Sequence, residues 1–422
     1  MLKDLVRRLY VAAAAAALAP LGAAARLRAR RAGAYDPATV RRILVLRLGL
    51  LGDAALLTPA LRLLKDSFSP AEVHVLATPL QEPLLAPQPF VDRAVTWRAG
   101  DLLEPRRALR PRAWSQAAAT IAGLRAQEYD LAIVCYGRLA SAVALLSGAR
   151  HRIGYAAECF PGSLTRALPG GRYDRPWHEV EYNVALARAA GAAGETPPLQ
   201  LVVAPAARRA VRTLLAAHGA PADSARPVGP TGAARAGACP IVTIHPGATN
   251  GAAKRWPAAY WGAVASRLAA DGATVVLAGG PGDRALTAEI RARAGNAPID
   301  LAGRTSVPEL LALLECADVV ASGDSGPLHL AVALGRPTVA IHGPTDPAIS
   351  GPYDLTAATV VRHRLPCAPC YRLDRVADCP LGHTLCQRLI APETVYAAIR
   401  SAFELRVARA GVGLGTSDFA DR

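Results

Sequence analysis

The chain has few aromatic residues and lacks the motifs of common nucleic-acid-binding modules. Phe, Trp and Tyr make up only 5% of its 422 residues, and few of them are interleaved with the basic stretches. No zinc-finger or RNA-recognition motif is present. Because single-stranded nucleic acids are usually bound by aromatic stacking beside positive charge, the sequence predicts no nucleic-acid partner.

Two glycine-rich nucleotide signatures are also missing. The loop that follows the first predicted strand reads RLGLLGD, from Arg47 to Asp53, and contains neither GxGxxG nor GxxxxGK[ST]. This excludes the dinucleotide fingerprint and the Walker phosphate loop at this position. No internal repeat of fixed short period is apparent either.

What the chain does have is length, many small apolar side chains and positive charge. Its 52% of hydrophobic residues is far above what disordered chains show. At roughly 100–200 residues per domain, the length predicts two sizeable α/β domains. Lys and Arg total 48 against 33 Asp and Glu, a net charge of +15. This excess predicts attraction to the phosphates of a nucleotide or an anionic lipid, although recurring Ala-Arg tracts make part of it compositional.

Cysteine usage favours a reducing compartment. Four of the eight cysteines are scattered along the chain, at Cys135, Cys159, Cys239 and Cys316. A long chain with this spacing does not resemble a small secreted disulfide scaffold. We therefore predict a cytoplasmic protein.

Residues 1–35 form an Ala- and Arg-rich segment whose apolar run, Leu9–Ala25, has basic residues on both sides. The run is short for the ~20 residues of a spanning helix, and alanine contributes little to insertion. The favoured interpretation is a helix that lies on an anionic membrane surface. A plain extension of the fold and a cleaved signal peptide remain the alternatives.

The rest of the chain alternates short apolar runs with helical stretches, in two series. Such alternation is typical of parallel sheets covered by helices on both faces. We predict an α/β protein with two Rossmann-like doubly wound domains facing across a cleft, at 36–205 and 239–400. Residues 206–238, rich in Pro, Gly, Ala and Ser towards their end, are predicted as a low-complexity linker, and 401–422 as a tail. Ligands of such sheets bind beyond the carboxyl ends of the strands, so the loops there are the candidate sites.

In the first domain, the candidate is the loop that ends at Asp53. Gly49 and Gly52 precede this acid, and a predicted helix, Ala54–Leu64, follows it. Asp53 is thus either the cap of that helix or a general base at the cleft, two roles that are compatible. The glycines would let a substrate approach the backbone closely.

In the second domain, polar groups follow two strands. The stretch His245–Pro257 offers a hydroxyl at Thr249 and a cation at Lys254, which together suit a diphosphate, although an ordinary basic surface loop would look the same. The stretch Gly323–His329 opens a helix, where Ser325 and Gly326 can present amides to an anion. Three further candidates for donor contacts are Asp324, His329 and Asp283, although His329 could be a packed core residue and Asp283 a helix cap.

Four cysteines cluster late in the chain, within a loop at 366–387. Their spacing is Cys367-x2-Cys370-x8-Cys379-x6-Cys386. Two pairs could give four thiolates to a structural zinc, but the second pair is wider than in a usual zinc knuckle. A redox-sensitive pair and plain thiols therefore remain open.

From about Arg42 to Arg400 the chain resembles glycosyltransferase family 9, the lipopolysaccharide heptosyltransferases. The resemblance rests on GDAALLTPAL (52–61), HPGATNGAAKRWP (245–257), GDSGPLHLAVALGRPTVAIHGPTDP (323–347) and the late cysteine segment. It implies a GT-B fold with an acceptor-binding first domain and a donor-binding second domain. The implied reaction is inverting transfer of a heptose or related sugar from an ADP-heptose-type donor to a surface glycolipid.

The family also implies roles for individual residues. Asp53 matches the base that deprotonates the acceptor hydroxyl, and Thr249 and Lys254 match contacts to the donor diphosphate. Asp324, Ser325 and Gly326 match the segment that holds the donor sugar and phosphate, while Asp283 lies near an acidic ribose contact. No metal or other cofactor is implied at the catalytic centre, and a peripheral contact with the inner membrane is expected.

Two competing hypotheses remain at this level. A GT-B transferase for another nucleotide sugar and another surface glycan would carry the same motifs. A non-catalytic two-lobed binding protein would use Asp53 only as a cap. A panel of nucleotide sugars in transfer and hydrolysis assays separates them.

Overall fold

The structure is a computed structural model that describes residues 2–31, 34–100, 102–172, 174, 176–220, 240–249, 251–371 and 378–412. The chain divides into two compact units, Met1–Pro198 and Leu199–Arg422. Each unit contains one six-stranded sheet in which all neighbouring strands are parallel.

The first unit has the strand order β3-β2-β1-β4-β5-β6. Its strands are β1 (Arg42–Arg47), β2 (Glu72–Ala77), β3 (Arg93–Thr96), β4 (Leu131–Tyr136), β5 (His151–Tyr155) and β6 (Arg166–Leu168). Its helices are α1 (Leu2–Arg31), α2 (Leu51–Ser67), α3 (Glu82–Leu85), α4 (Pro105–Ala108), α5 (Pro111–Arg125), α6 (Arg138–Leu146) and α7 (Glu179–Ala189). The central strand β1 is buried from Ile43 onwards, which explains its continuous apolar sequence.

The second unit has the strand order β12-β11-β10-β7-β8-β9. Its strands are β7 (Ile241–His245), β8 (Thr274–Leu277), β9 (Ile299–Asp300), β10 (Val319–Gly323), β11 (Thr338–His342) and β12 (Ala358–Arg362). Its helices are α8 (Pro205–Ala217), α9 (Ala258–Ala270), α10 (Arg284–Arg293), α11 (Val307–Cys316), α12 (Gly326–Ala333), α13 (Pro347–Ser350), α14 (Leu385–Arg388) and α15 (Pro392–Val412). Trp256 packs edge-on against Trp261 in its core, with ring centroids 4.9 Å apart.

The predicted linker at 206–238 is corrected at its start, because helix α8 occupies much of it. Ala207, Val211 and Leu215, four residues apart, are buried, and the helix packs against α11 of the second unit. Arg208 donates two hydrogen bonds of 2.6 Å, from Nε and Nη2, to the two carboxylate oxygens of Glu315 on α11. The unit boundary accordingly falls at 198/199 rather than near 205. The remaining linker residues 221–238 lie outside the described residues.

The predicted C-terminal tail is also shorter than expected. Helix α15 continues to Val412, and Ala402 is buried in the core of the second unit. Packing of Ala402 against this core stabilises the helix in a segment that its composition alone indicated to be a tail. Residues 413–422 lie outside the described residues.

The N-terminal segment forms the 30-residue helix α1. Its stretch Arg8–Leu27 is long and apolar enough to cross a membrane. Only 6% of the most apolar part of this stretch is buried against the rest of the protein. The helix contacts the rest of the first unit near Gly162, whose carbonyl oxygen accepts a hydrogen bond of 2.7 Å from Arg26. Gly22 lies against the same carbonyl, which leaves no room there for a larger side chain.

Candidate active site

Asp53 lies in the first turn of α2, directly beyond the carboxyl end of β1. Its carboxylate accepts a hydrogen bond of 2.8 Å from the amide of Leu50, the residue before the helix. Asp53 therefore does cap the helix, although from inside the first turn rather than from the residue before it. Gly49 is required for this arrangement, because a Cβ at that position would lie 2.3 Å from Asp53 Oδ2.

Two arginines surround the Asp53 carboxylate. Arg47 Nη2, at the end of β1, lies 2.7 Å from Asp53 Oδ1, and Arg172 Nη2 lies 3.9 Å from the same oxygen. Both arginines also pair with the buried Glu179 at the start of α7. Arg47, Arg172 and Glu179 were not predicted as site residues. Arg47 was within the quoted loop, but the other two are far along the chain and only the fold brings them here.

This network decides the charge of Asp53. Burial alone would raise the pKa of the carboxyl group, but the charges of Arg47 and Arg172 and the Leu50 amide outweigh it and hold the pKa below 3.8. Asp53 is therefore a carboxylate near neutral pH. It can orient a hydroxyl group and accept its proton, provided that the proton becomes strongly acidic during the reaction.

In the second unit, the loops after β7 and β10 form a second polar cluster. These strands are neighbours, so their carboxyl ends meet at one edge of the sheet. Ser325, the residue before α12, lies with its Oγ 3.0 Å from His245 Nδ1 and 2.9 Å from Ser322 Oγ. Burial lowers the pKa of His245 to about 4, so its imidazole is neutral at pH 7.

Lys254 and Asp324 form an ion pair in this cluster. Lys254 Nζ lies 2.8 Å from Asp324 Oδ2, and both side chains are largely buried. Burial opposes ionisation of Asp324, but the charge of Lys254, followed by those of His342 and His329, lowers its pKa to about 2. Asp324 is therefore ionised at pH 7, and its carboxylate orients the Lys254 ammonium group, which a diphosphate could approach.

Two residues that were not predicted from the sequence also contact Lys254. Lys254 Nζ lies 5.0 Å from the ring centroid of Tyr371, within reach of a cation–π interaction. The buried Gln387 donates a hydrogen bond of 3.0 Å from Nε2 to the Lys254 carbonyl oxygen. Gln387 also packs on Gly343, where a Cβ would lie 2.6 Å from Nε2. Neither residue has a motif-like sequence context that could have revealed this role.

The other residues predicted to contact the donor are Asp283, His329 and Thr249, and they differ in burial and in their partners. Asp283 accepts a hydrogen bond of 2.9 Å from the Gly280 amide, and its Oδ2 lies 3.9 Å from His245 Nε2. A Cβ on Gly247 would clash with the Asp283 carboxylate, so this glycine permits the close approach. His329 is buried within α12, and Thr249 is exposed on the loop after β7. His342, at the end of β11, was missed; its Nδ1 lies 3.1 Å from Thr345 Oγ1.

Comparison with known proteins identifies the family. The model of glycosyltransferase family 9 (heptosyltransferase) matches residues 118–379, more than half of the chain. The chain belongs to glycosyltransferase family 9. This confirms the resemblance inferred from the motifs, and with it the expectation of a glycosyltransferase-family chain.

Curated relatives of this family 9 chain are heptosyltransferases. Lipopolysaccharide heptosyltransferase 2 of Salmonella typhimurium is 28% identical over 328 residues, which cover 76% of this chain and 87% of the relative. Lipooligosaccharide heptosyltransferase 2 of Campylobacter jejuni serotype O:6 is 31% identical over 163 residues, 38% of this chain. The match spans 50% of that Campylobacter relative, about half its length.

Solved structures confirm the GT-B class of fold for this family 9 chain. Escherichia coli ADP-heptose lipopolysaccharide heptosyltransferase II superposes with a TM-score of 0.67 at 24% identity, over 86% of this chain and 99% of that one. The family 9 glycosyltransferase of Veillonella parvula gives a TM-score of 0.72 at 19% identity, over 86% and 98%.

The late cysteines of the family 9 chain share one cavity. Cys367, Cys370, Cys379 and Cys386 line a space of about 210 Å³, together with Ala253 and Tyr371 beside Lys254. Thiolates are suitable zinc ligands, but across the described ranges no three His, Cys, Asp or Glu side chains are arranged to hold an ion. The geometry therefore does not fit a zinc site as it stands, and structural zinc stays a prediction from the cysteine spacing.

Proposed function

We propose that this chain is an inverting glycosyltransferase that moves a heptose or a related sugar from an ADP-heptose-type donor to a hydroxyl of the lipopolysaccharide core or a related surface glycolipid. Family membership and the curated heptosyltransferase relatives support this assignment. Escherichia coli heptosyltransferase WaaC, a structural neighbour with a TM-score of 0.61, has been solved with ADP. This supports a nucleoside diphosphate sugar as the donor.

The observation that carries the proposal is the Lys254–Asp324 ion pair at the start of α12. Transfer to a hydroxyl group develops positive charge on the sugar and negative charge on the departing diphosphate. Lys254 and the amides of Ser325 and Gly326 would stabilise that negative charge in a partly buried site. We propose that Lys254 does this without a metal ion at the catalytic centre.

We assign the remaining donor contacts by chemistry. Asp324 and His329 would hold sugar hydroxyl groups, Thr249 would donate to a diphosphate oxygen, and Asp283 would accept from a ribose hydroxyl. The Gly280 amide donates to Oδ2 of Asp283, and this bond would hold the carboxylate in place for the ribose contact.

We assign Asp53 as the base. The acceptor oxygen forms a bond to the anomeric carbon while the bond from that carbon to the diphosphate oxygen breaks. The hydroxyl proton passes to Asp53, and the electron pair of the broken bond leaves with the diphosphate. The low pKa of Asp53 fits a proton that is transferred late, after the attacking oxygen has become oxonium-like.

We further propose a cytoplasmic location with peripheral contact to the inner membrane, where a glycolipid acceptor would be found. The apolar and exposed stretch Arg8–Leu27 of α1 supports the membrane contact.

The test is transfer by the purified full chain from a panel of nucleotide sugars to lipopolysaccharide acceptors that lack heptose. ADP-heptose should be the preferred donor, and Asp53→Asn should bind the donor normally but transfer poorly. Equal transfer from an unrelated nucleotide hexose would replace the donor assignment. No transfer with any donor, together with intact nucleotide binding, would favour a non-catalytic protein.

A further inference from the structure

Exposed large apolar side chains of the first unit concentrate on two neighbouring elements. Of those in its described residues, Val6, Leu9, Leu21 and Leu27 lie on α1, and Leu109 and Trp114 lie at the junction of α4 and α5. Leu80 is the remaining one. Helix α1 contacts α4, so these two elements are neighbours in the first unit.

The second group lies within a basic stretch that we name the basic corner, residues 104–114. Four arginines in it are exposed, at positions 106, 107, 110 and 112, and Glu104 is its single acid. Glu104 and the first three of these arginines line an open depression of about 420 Å³. The corner therefore presents positive charge around its exposed apolar side chains.

Leu109 and Trp114 are unusually accessible for their size. Leu109 is 82% exposed and Trp114 is 52% exposed. The Trp114 indole donates a hydrogen bond of 2.7 Å to the Ala108 carbonyl oxygen, which holds the ring beside Leu109 on the surface. A satisfied indole with an exposed ring, next to leucine and arginine, suits the boundary between lipid headgroups and acyl chains.

We infer that the basic corner binds an anionic phospholipid surface beside α1, with Leu109 and Trp114 entering the headgroup boundary and Arg107 and Arg110 contacting lipid phosphates. Charge complementarity selects this occupant, because an acid-poor surface with four exposed arginines matches a negatively charged bilayer. This inference deepens the proposed membrane association, and its test does not use the transfer reaction.

The first experiment measures binding of the full chain to vesicles of phosphatidylcholine with and without phosphatidylglycerol. Arg107→Gln with Arg110→Gln should weaken binding to the anionic vesicles by about five-fold for each arginine. The matched control is Arg209→Gln with Arg212→Gln, which removes the same charge from the exposed face of α8. Equal effects of the two pairs would overturn the inference, since net charge alone would then explain binding.

The apolar contact has its own pair of variants. Leu109→Gln should weaken binding several-fold, whereas Leu355→Gln changes an exposed leucine of the second unit and should leave binding unchanged. Because both side chains are exposed, neither change should affect folding.

The second experiment locates Trp114. It is the exposed one of five tryptophans, since Trp97, Trp256 and Trp261 are buried and Trp177 is half-buried. Brominated lipids in anionic vesicles should quench part of the wild-type fluorescence, and Trp114→Phe should remove most of that quenching. Unchanged quenching in the Trp114→Phe variant would contradict the inference. So would a dimer in solution that Leu109→Gln dissociates, because a second copy would then cover the corner.

Discussion

Asp324 and Lys254 form a largely buried ion pair, with 2.8 Å between Oδ2 and Nζ, at the point where β10 gives way to α12. The pair comes from two loops that are 70 residues apart but follow neighbouring parallel strands. Its energetic consequence is that each partner depends on the other, since removal of one leaves a buried charge.

Removing the cation should abolish most of the transfer. Lys254→Met is expected to lower kcat by about 10²–10³-fold, the usual effect of losing one group that stabilises developing negative charge. Steady-state kinetics with saturating donor measures this. Lys65→Met serves as the control, because Lys65 pairs with Asp92 and not with any proposed site residue. Wild-type turnover in Lys254→Met would remove this residue from the mechanism.

The Asp324 carboxylate should make stability depend on pH. Its folded pKa of about 2 lies below the unfolded value of 3.8, so its contribution is fully present above pH 4 and is lost as the pH falls towards 2. The shift corresponds to about 2 kcal/mol. Asp324→Asn should therefore lower the urea midpoint at pH 7 much more than at pH 2.5. Asp66→Asn, at an exposed position, is the control. If the difference in urea midpoint between the wild type and Asp324→Asn did not change with pH, the proposed contribution of Asp324 ionisation to stability would be wrong.

The arginines around Asp53 should set the acid limb of the rate profile. Because the folded pKa of Asp53 is depressed, activity should persist to a lower pH than an ordinary aspartate would allow, and it should fall only as this carboxylate is protonated. Arg172→Gln removes one cause of the depression, so the limb should move to higher pH. A profile of kcat/KM against pH measures the shift. Arg125→Gln, on the exposed face of α5, should leave the limb in place.

Gly49 should be intolerant of any side chain. In Gly49→Ala the new Cβ would overlap the Asp53 carboxylate, which must move away from its Leu50 and Arg47 partners. We expect a loss on the order of 10²-fold in kcat, with the donor KM little changed, because displacements of about 1 Å are costly in active sites. Gly123→Ala, where a Cβ meets nothing within 4 Å, is the matched control. Equal kinetics of the two variants would show that Asp53 tolerates displacement.

Gln387 should act as a positioning residue for Lys254. Gln387→Met keeps the side-chain volume but removes the hydrogen bond to the Lys254 carbonyl oxygen. We therefore expect kcat/KM for the donor to fall by roughly two- to ten-fold. Gln88→Met removes a comparable buried bond, from Nε2 to the Leu84 carbonyl oxygen, in the first unit. The control should lose stability alone. If both variants change only stability, the role of Gln387 is structural.

Much of the fold can be predicted from local sequence. The run RILVLR is apolar and β-branched because β1 is covered on both faces, and the same holds for IVTIH, which forms β7 of the second unit. It failed for α8 and for the end of α15, where alanine and arginine dominate. There the decisive contacts, such as Arg208 with Glu315, are made with distant residues and leave no local pattern.

For the candidate site, the sequence by itself determined which loops to propose, because the carboxyl ends of parallel strands are where a doubly wound sheet binds its ligands. Asp53, Lys254 and Asp324 all follow from that rule together with their motifs. Only the tertiary structure decided their electrostatics. Arg172 approaches Asp53 from more than a hundred residues away, Glu179 pairs with that arginine, and Gln387 bonds Lys254 across a similar separation. Charges and hydrogen bonds act through space over a few ångströms, so the partners that set a pKa or hold a lysine depend on folding rather than on sequence order.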